Sequence, residues 1–209
     1  MIQLISNLII KSENLKINLS PSGIPLHSKE TFALDDASNI YLPGDVNGDK
    51  PLLHEASDEG RVAGINAMSS NKNPYKMRTP LEISFSDPNI AKAGMSYSDL
   101  EAVNKEFVTG KVTFEGQGRS IVKLKEIGLL HVYGDKKTGE ILGAELFAPA
   151  GEHLAHLLSW AIEQKLTVNK VLSFPFYHPV IEEGLRTALR DLRSKVSEEI
   201  PTLEIAKGR

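Results

Sequence analysis

The chain has 209 residues, room for one large core or two modest ones, and its 41% hydrophobic and 24% charged content is ordinary for a folded globular protein. A formal net charge of −3 with no basic stripe argues against nucleic-acid binding, and no apolar run reaches the roughly 18 residues that a membrane-crossing helix needs. With no cysteine, the polypeptide can form no disulfide, thiolate metal site or thiol nucleophile of its own.

The first ten residues are apolar but carry neither a basic leader region nor a small-residue cleavage site, so they read as an internal segment that begins abruptly. A cytoplasmic location is the expectation. Residues 1–38 hold short apolar runs around Leu4–Ile10 and Leu15–Leu19 and a turn signal at Pro21-Ser-Gly23. They predict two or three short strands without a self-sufficient core. Asn39-Ile-Tyr-Leu-Pro-Gly-Asp-Val46 predicts a buried strand ending in a turn that presents Asp45. Leu53 to Met68 has helical character, and Ala56, Gly60, Ala63, Gly64 and Ala67 recur three, four and seven apart on one face. Such a face admits another backbone at close range. Ser69-Ser-Asn-Lys-Asn-Pro74 is the candidate linker.

From Thr79 the pattern changes. Leu81–Ser86 alternates as a strand, and Ser96-Tyr-Ser-Asp-Leu-Glu101 offers a helix start with a capping side chain. Phe107–Phe114 and Ser120–Ile127 predict strands joined through Gly116-Gln-Gly118. Gly128–Gly134 and Glu140–Phe147 predict a hairpin turning at Asp135-Lys-Lys-Thr-Gly139. Leu154, Leu157, Leu158, Ala161 and Ile162 carry a helical apolar period, as do Ile181, Leu185, Ala188, Leu189 and Leu192. A sheet with packed helices makes the second half α+β. The expected division is residues 1–76, 77–197 and a frayed tail at 198–209.

The stretch Phe174-Pro-Phe-Tyr-His-Pro-Val-Ile-Glu-Glu-Gly184 holds the strongest chemical signal. Proline suits the first position of a helix, which predicts a helix opening at Pro179 and running to about Val196, with His178 just outside it. Imidazole titrates near neutral pH, and a carboxylate one turn further on can fix its tautomer and raise its basicity. Spacing alone favours an ordinary cap histidine with a solvated glutamate, and Glu182, four residues on, competes with Glu183 as partner. Other features read as structural. His153 and His156 stand three apart on a helix without an evident third ligand, so no metal site is expected. His131 reads as a surface or cross-strand residue, Trp160 as core or dimer contact, and Arg186, Arg190 and Arg193 as a solvated helix face with modest ion-pair help.

Three pieces line up in order and spacing: Asn39–Val46, Pro51-Leu-Leu-His-Glu-Ala-Ser-Asp-Glu-Gly60, and His178-Pro179 with Glu183. With Gly139-Glu-Ile-Leu-Gly-Ala144 between them, they resemble the C-terminal half of the flavin-dependent pyridine nucleotide–disulfide oxidoreductases, over about residues 14 to 196. Within that family the chain is most similar to the dihydrolipoamide dehydrogenases. The resemblance implies a dimerisation domain of antiparallel sheet and packed helices, preceded by an incomplete piece of the FAD/NAD-binding α/β region. It implies that Gly44 and Asp45 meet the ribityl chain of FAD and that Pro51, Leu52, Leu53 and His54 meet the flavin ring. It assigns His178 as the proton acceptor for a dithiol and Glu183 as its orienting partner, in a site shared across a two-fold homodimer. The implied partners are dihydrolipoamide or a lipoyl domain, and the implied cofactors FAD and NAD.

The departures are as informative. The dinucleotide fingerprint and the redox cysteine pair of the family are absent, and there is no NAD site, so this chain by itself is expected to be inactive. Val180 stands where the family has threonine, and Phe176-Tyr177 where smaller or polar residues are common. A non-catalytic dimerisation module and a fragment of a glutathione-reductase-like enzyme are the alternatives.

Overall fold

A computed structural model describes residues 18–21, 23–34, 39–197 and 203–205. The expected strands over Leu4–Ile10 and most of Leu15–Leu19 lie outside those residues. The chain divides into two compact units, Met1–Met77 and Arg78–Arg209.

Among the described residues of the first unit, pairing is confined to isolated bridges, Leu19 with Pro25 and Ala33 with Tyr41. The predicted strand at 39–46 is therefore a single bridge followed by a 3-10 turn, Gly44–Asn47. Gly44 lies at φ 78°, and a Cβ there would meet Ala56 Cβ at 3.2 Å, so the turn lies close against helix α1, Leu53–Met68. The boundaries of α1 match the periodic stretch of the sequence. Its buried face is Glu55, Glu59, Val62, Ala63 and Asn66, and Val62 and Ala63 meet Phe32 in a small apolar cluster. Of the expected small-residue face, Ala56 and Ala63 are contacts, whereas a Cβ built on Gly60 or Gly64 finds nothing within 4 Å.

The second unit is a two-layer α+β sandwich. Strands β1 (Leu81–Ser84), β2 (Asn89–Gly94), β3 (Phe107–Thr113), β4 (Leu129–Asp135) and β5 (Ile141–Ala148) form one antiparallel sheet in the order β1-β2-β5-β4-β3. Strand β2 went unpredicted. Its inward residues are Ala91 and Ala93, too small and too weak in strand preference to announce a strand, yet small enough to admit a helix. Between β2 and β3 lies α2, Tyr97–Ala102, with the expected capping box formed by Ser96 and Asp99. Ser120–Ile127 is not a strand: α3 spans Gly118–Lys123, started by the Gln117 side chain accepting from Ser120 N–H at 2.7 Å and stopped by Leu124 in the left-handed region. The β4–β5 hairpin turns at Asp135, whose carboxylate accepts the N–H groups of Lys137 and Thr138. The Lys105 ammonium at 2.7 Å, with those N–H groups, holds Asp135 far below the usual carboxylate range.

Helices α4 (Gly151–Glu163), α5 (Val168–Leu172) and α6 (Glu182–Arg193) complete the unit, with α4 packed over β2 and β5, and α6 over β3 and β4. The core holds Leu130, Val132 and Leu146 from the sheet, Leu154 and Leu158 from α4, and Leu185, Leu189 and Leu192 from α6. Helix and sheet approach most closely at Gly110, where an added Cβ would sit 2.2 Å from the Ala188 carbonyl oxygen and 2.6 Å from Leu192 Cβ. The tail expected to fray carries Glu204, whose carboxylate meets Arg186 and Arg190 at 2.8 Å and Arg193 at 3.1 Å. Those arginines, Arg190 foremost, hold the Glu204 carboxyl down at about 2. The arginine face of α6 is therefore an ion-pair surface rather than a merely solvated one.

Backbone atoms at Gly110 cannot yield as a flexible side chain would. Gly110→Ala is expected to lower stability by about 3 kcal/mol, read as a shifted urea midpoint at unchanged m-value. Gly60→Ala, on an open helix surface, is expected to raise it by roughly 0.5–1 kcal/mol.

Candidate active site

Helix α6 opens at Glu182, three residues later than the proline rule predicts, and ends at Arg193 rather than near Val196. The segment before it is pinned instead as a turn. Gln117 Nε2 donates to the Val180 carbonyl at 2.9 Å, Gly184 N–H donates to the Ile181 carbonyl at 2.9 Å, and Ile181 is buried. Gly184 lets the first turn of α6 rest on fully buried Phe114, where a Cβ would come within 2.6 Å of the ring. That contact fixes the neighbouring Glu183.

His178 Nδ1 lies 2.9 Å from Glu183 Oε1, and Glu183 Oε2 accepts the Val180 N–H at 3.2 Å. Both oxygens of the carboxylate are thus used to hold the loop that carries the imidazole. The hydrogen bond from His178, then the one from the Val180 backbone, holds the Glu183 carboxyl below its usual range. An ionised carboxylate only accepts, so Nδ1 carries the proton, and the lone pair of a neutral ring sits on Nε2. The ring is 79% exposed, with Nε2 available to an outside donor. Glu183, not Glu182, is the partner.

Beside this loop lies a cleft of about 490 Å³, lined by Leu157, Trp160, Phe174, Phe176, Tyr177 and Leu185 among others. Trp160 is 65% exposed and Tyr177 79% exposed. The tryptophan is a rim residue, not core.

In the first unit, Asp45 is exposed within the 3-10 turn. The turn is held by Glu59, a buried carboxylate on α1 that accepts the Gly44 N–H and, at 2.7 Å, the Asn47 amide. Pro51 and Leu52 lead into α1, whose first turn has no side-chain cap, and Leu53 and His54 point outward, Leu53 at 89% exposed. An outward carboxylate beside uncapped backbone N–H groups fits a ligand with hydroxyls and a polar ring edge, the chemistry of a flavin and its ribityl chain. Gly44 itself fits as a turn residue, because its N–H is already taken. Glu59 and Gln117 were not singled out from sequence. A carboxylate at 59 on the face shared with Val62, Ala63 and Asn66 was the available signal for the first; none marked the second.

His131 is pushed down by burial and by Lys111, and His156 Nδ1 stands 2.7 Å from the Glu152 carbonyl oxygen. Among the described residues no cluster of three or more His, Asp or Glu could hold a metal, and no helix is long and apolar enough to cross a membrane.

Residues 81–189 match the family model described as the pyridine nucleotide-disulphide oxidoreductase dimerisation domain. The chain is 32% identical to a dihydrolipoyl dehydrogenase of Haloferax volcanii, covering 82% of this chain and 37% of the relative. It is 28% identical to a soluble pyridine nucleotide transhydrogenase of Pseudomonas aeruginosa, covering 84% and 39%. The crystal structure of LpdA from Mycobacterium tuberculosis superposes with a TM-score of 0.71 at 24% identity, covering 86% of this chain and 39% of that one, a likeness of fold. The chain thus spans well under half the length of these relatives. The matched domain supports homodimer formation.

A depressed carboxylate contributes stability that is present above its unfolded pKa and is lost as pH falls through its folded one. The stability gap between the parent chain and Glu183→Gln is expected to be a few tenths of a kcal/mol to about 1 kcal/mol, as for a largely exposed pair. It should hold steady above about pH 5 and close below it. A gap unchanged down to about pH 2 would assign the effect to packing instead.

Proposed function

This chain belongs to the pyridine nucleotide-disulphide oxidoreductase family, and from that premise we propose that it supplies the acid–base pair and the pairing surface of a flavin-dependent dihydrolipoamide dehydrogenase. The observation that carries the proposal is the 2.9 Å contact between His178 Nδ1 and Glu183 Oε1 on an outward-facing ring. With Nδ1–H committed to Glu183, Nε2 accepts the proton of a dithiol, and the sulfur becomes a thiolate, its reactive form. Glu183 stabilises the imidazolium that results and holds the ring for the return of the proton.

The thiol proton distinguishes this reading from that of the transhydrogenase relative. Exchange of hydride between pyridine nucleotides involves no thiol, so it gives an exposed, carboxylate-held imidazole no task. Dihydrolipoamide, free or on a lipoyl domain, is the proposed substrate. FAD is the proposed cofactor, held in part by Asp45 and the backbone of Leu53 and His54, with Gly44, Pro51 and Leu52 shaping the turn. When bound, it supplies the electron relay between dithiol and NAD. The chain offers no cysteine for disulfide exchange and no glycine-rich diphosphate cradle. By itself it is proposed to be colourless and inactive, in the cytoplasm, and to act in the homodimer of a larger enzyme whose flavin-binding and cysteine-bearing parts complete the site.

In the holoenzyme, His178→Gln is expected to slow dihydrolipoamide oxidation by roughly 10²–10⁴-fold. NADH oxidation by an artificial acceptor that draws electrons from the flavin should be unaffected. Unchanged dithiol turnover would remove the proton-acceptor role. The cleft rim is proposed to lie in the pairing surface, so Trp160→Glu should shift the chain from dimer to monomer in sedimentation equilibrium at micromolar concentration. A variant that remains fully dimeric would place the interface elsewhere.

A further inference from the structure

Glu204 does more geometrically than anchor a tail. Its two oxygens receive Arg186 Nη2 at 2.8 Å, Arg190 Nε and Nη2 at 2.8 Å each, and Arg193 Nη2 at 3.1 Å. The three arginines stand at i, i+4 and i+7, one face of α6, where like charges a turn apart repel. One carboxylate therefore offsets three guanidinium groups.

Arg186 links this cluster to the acid–base loop. Its guanidinium carbon lies 5.6 Å from the ring centroid of Phe176, two residues before His178. It also follows Glu183 by three residues on the same helix, and its charge is one of those that hold the Glu183 carboxyl down. The carboxylates within a turn of Arg186 on α6 are Glu182 and Glu183, at i−4 and i−3. Released from Glu204, Arg186 has Glu183 within reach. A hydrogen bond that Glu183 then accepts from Arg186 competes with His178 and the Val180 N–H for the orientation of the carboxylate.

We propose that Glu204 is a positioning residue for the acid–base pair: it draws Arg186 away from Glu183 and keeps it against Phe176, so that Glu183 remains committed to His178. The functional meaning rests on the acid–base reading above, but the geometric statement stands by itself.

The test uses the full 209-residue chain labelled with ¹⁵N, with imidazole tautomers read from long-range ¹H–¹⁵N spectra at a pH where the rings are neutral. In the parent, His178 is expected to be mainly the Nδ1–H tautomer. Glu204→Gln should lose that majority, leaving the mixture of an unrestrained ring, while His131 in the sheet keeps its signals and reports an intact fold. Combining Glu204→Gln with Arg186→Met, which keeps an apolar stem over Phe176 without the charge, should restore the Nδ1–H majority. An unchanged His178 in the single variant overturns the proposal. So does a loss that persists in the double variant, which would make Glu204 only a brace for the helix. If the single variant also moves His131, recovery of His178 in the double variant still decides between the two. Because this readout involves no turnover, failure of His178→Gln to slow the dithiol reaction would remove the catalytic reading without touching this one.

Discussion

Missing side chains seat α6 on the sheet, and the candidate site depends on that seating. Gly110 brings the Ala188 carbonyl and Leu192 onto β3, and Gly184 lets the helix start rest on Phe114. With both ends set, the apolar residues Leu185, Ala188, Leu189 and Leu192 can only face inward, and each is nearly or fully buried. Everything polar on the helix is then assigned its place. Glu182 and Glu183 sit at the positive end of the helix dipole, and Arg190 and Arg193 sit at the negative end. A side chain beside a packed glycine has little freedom to wander, which is why Glu183 can hold a loop histidine in a fixed orientation.

Apolar periodicity revealed the elements whose faces carry large side chains, α4, α6 and the β4–β5 hairpin, whereas α1 showed through the spacing of its small residues. It failed where packing is done by small residues or where apolar residues do not pack at all. Strand β2 presents Ala91 and Ala93 to the core, a pattern too faint to read. Around α3 the opposite holds, since Ile121, Val122, Leu124 and Ile127 mimic a strand yet remain 47%, 67%, 89% and 70% exposed. What decides that segment is the Gln117 cap, a contact no apolar pattern encodes.

The acid–base pair was ambiguous in sequence for a reason the fold makes plain. Helical spacing favours Glu182 as the partner of His178, but it applies only if residues 178 to 183 are helical. The chain there is a loop and turn until Glu182, so the five-residue separation closes through the bend and Glu183 meets the ring. Family resemblance selected the same residue without that argument. The partners of Glu59 and Glu204 were out of reach, because each bonds groups about a dozen or more residues away in sequence.

An exposed imidazole is a modest base catalyst, because water competes for its lone pair and screens its carboxylate. The same pair gains strength as the local dielectric falls, since its attraction scales inversely with that constant. The apolar side chains of the neighbouring cleft, among them Phe174, Phe176, Tyr177 and Trp160, are the means of lowering it once a second surface covers them. On the proposed reading, pairing of two chains therefore does two jobs with one burial. It excludes water from the base, and it sets the imidazole against the surface where the dithiol substrate is proposed to bind. The Glu183 contact must already exist before that closure, because a ring left to choose its tautomer would present N–H rather than a lone pair to much of the incoming thiol. The cluster around Glu204 keeps that choice made while the surface is still open to solvent.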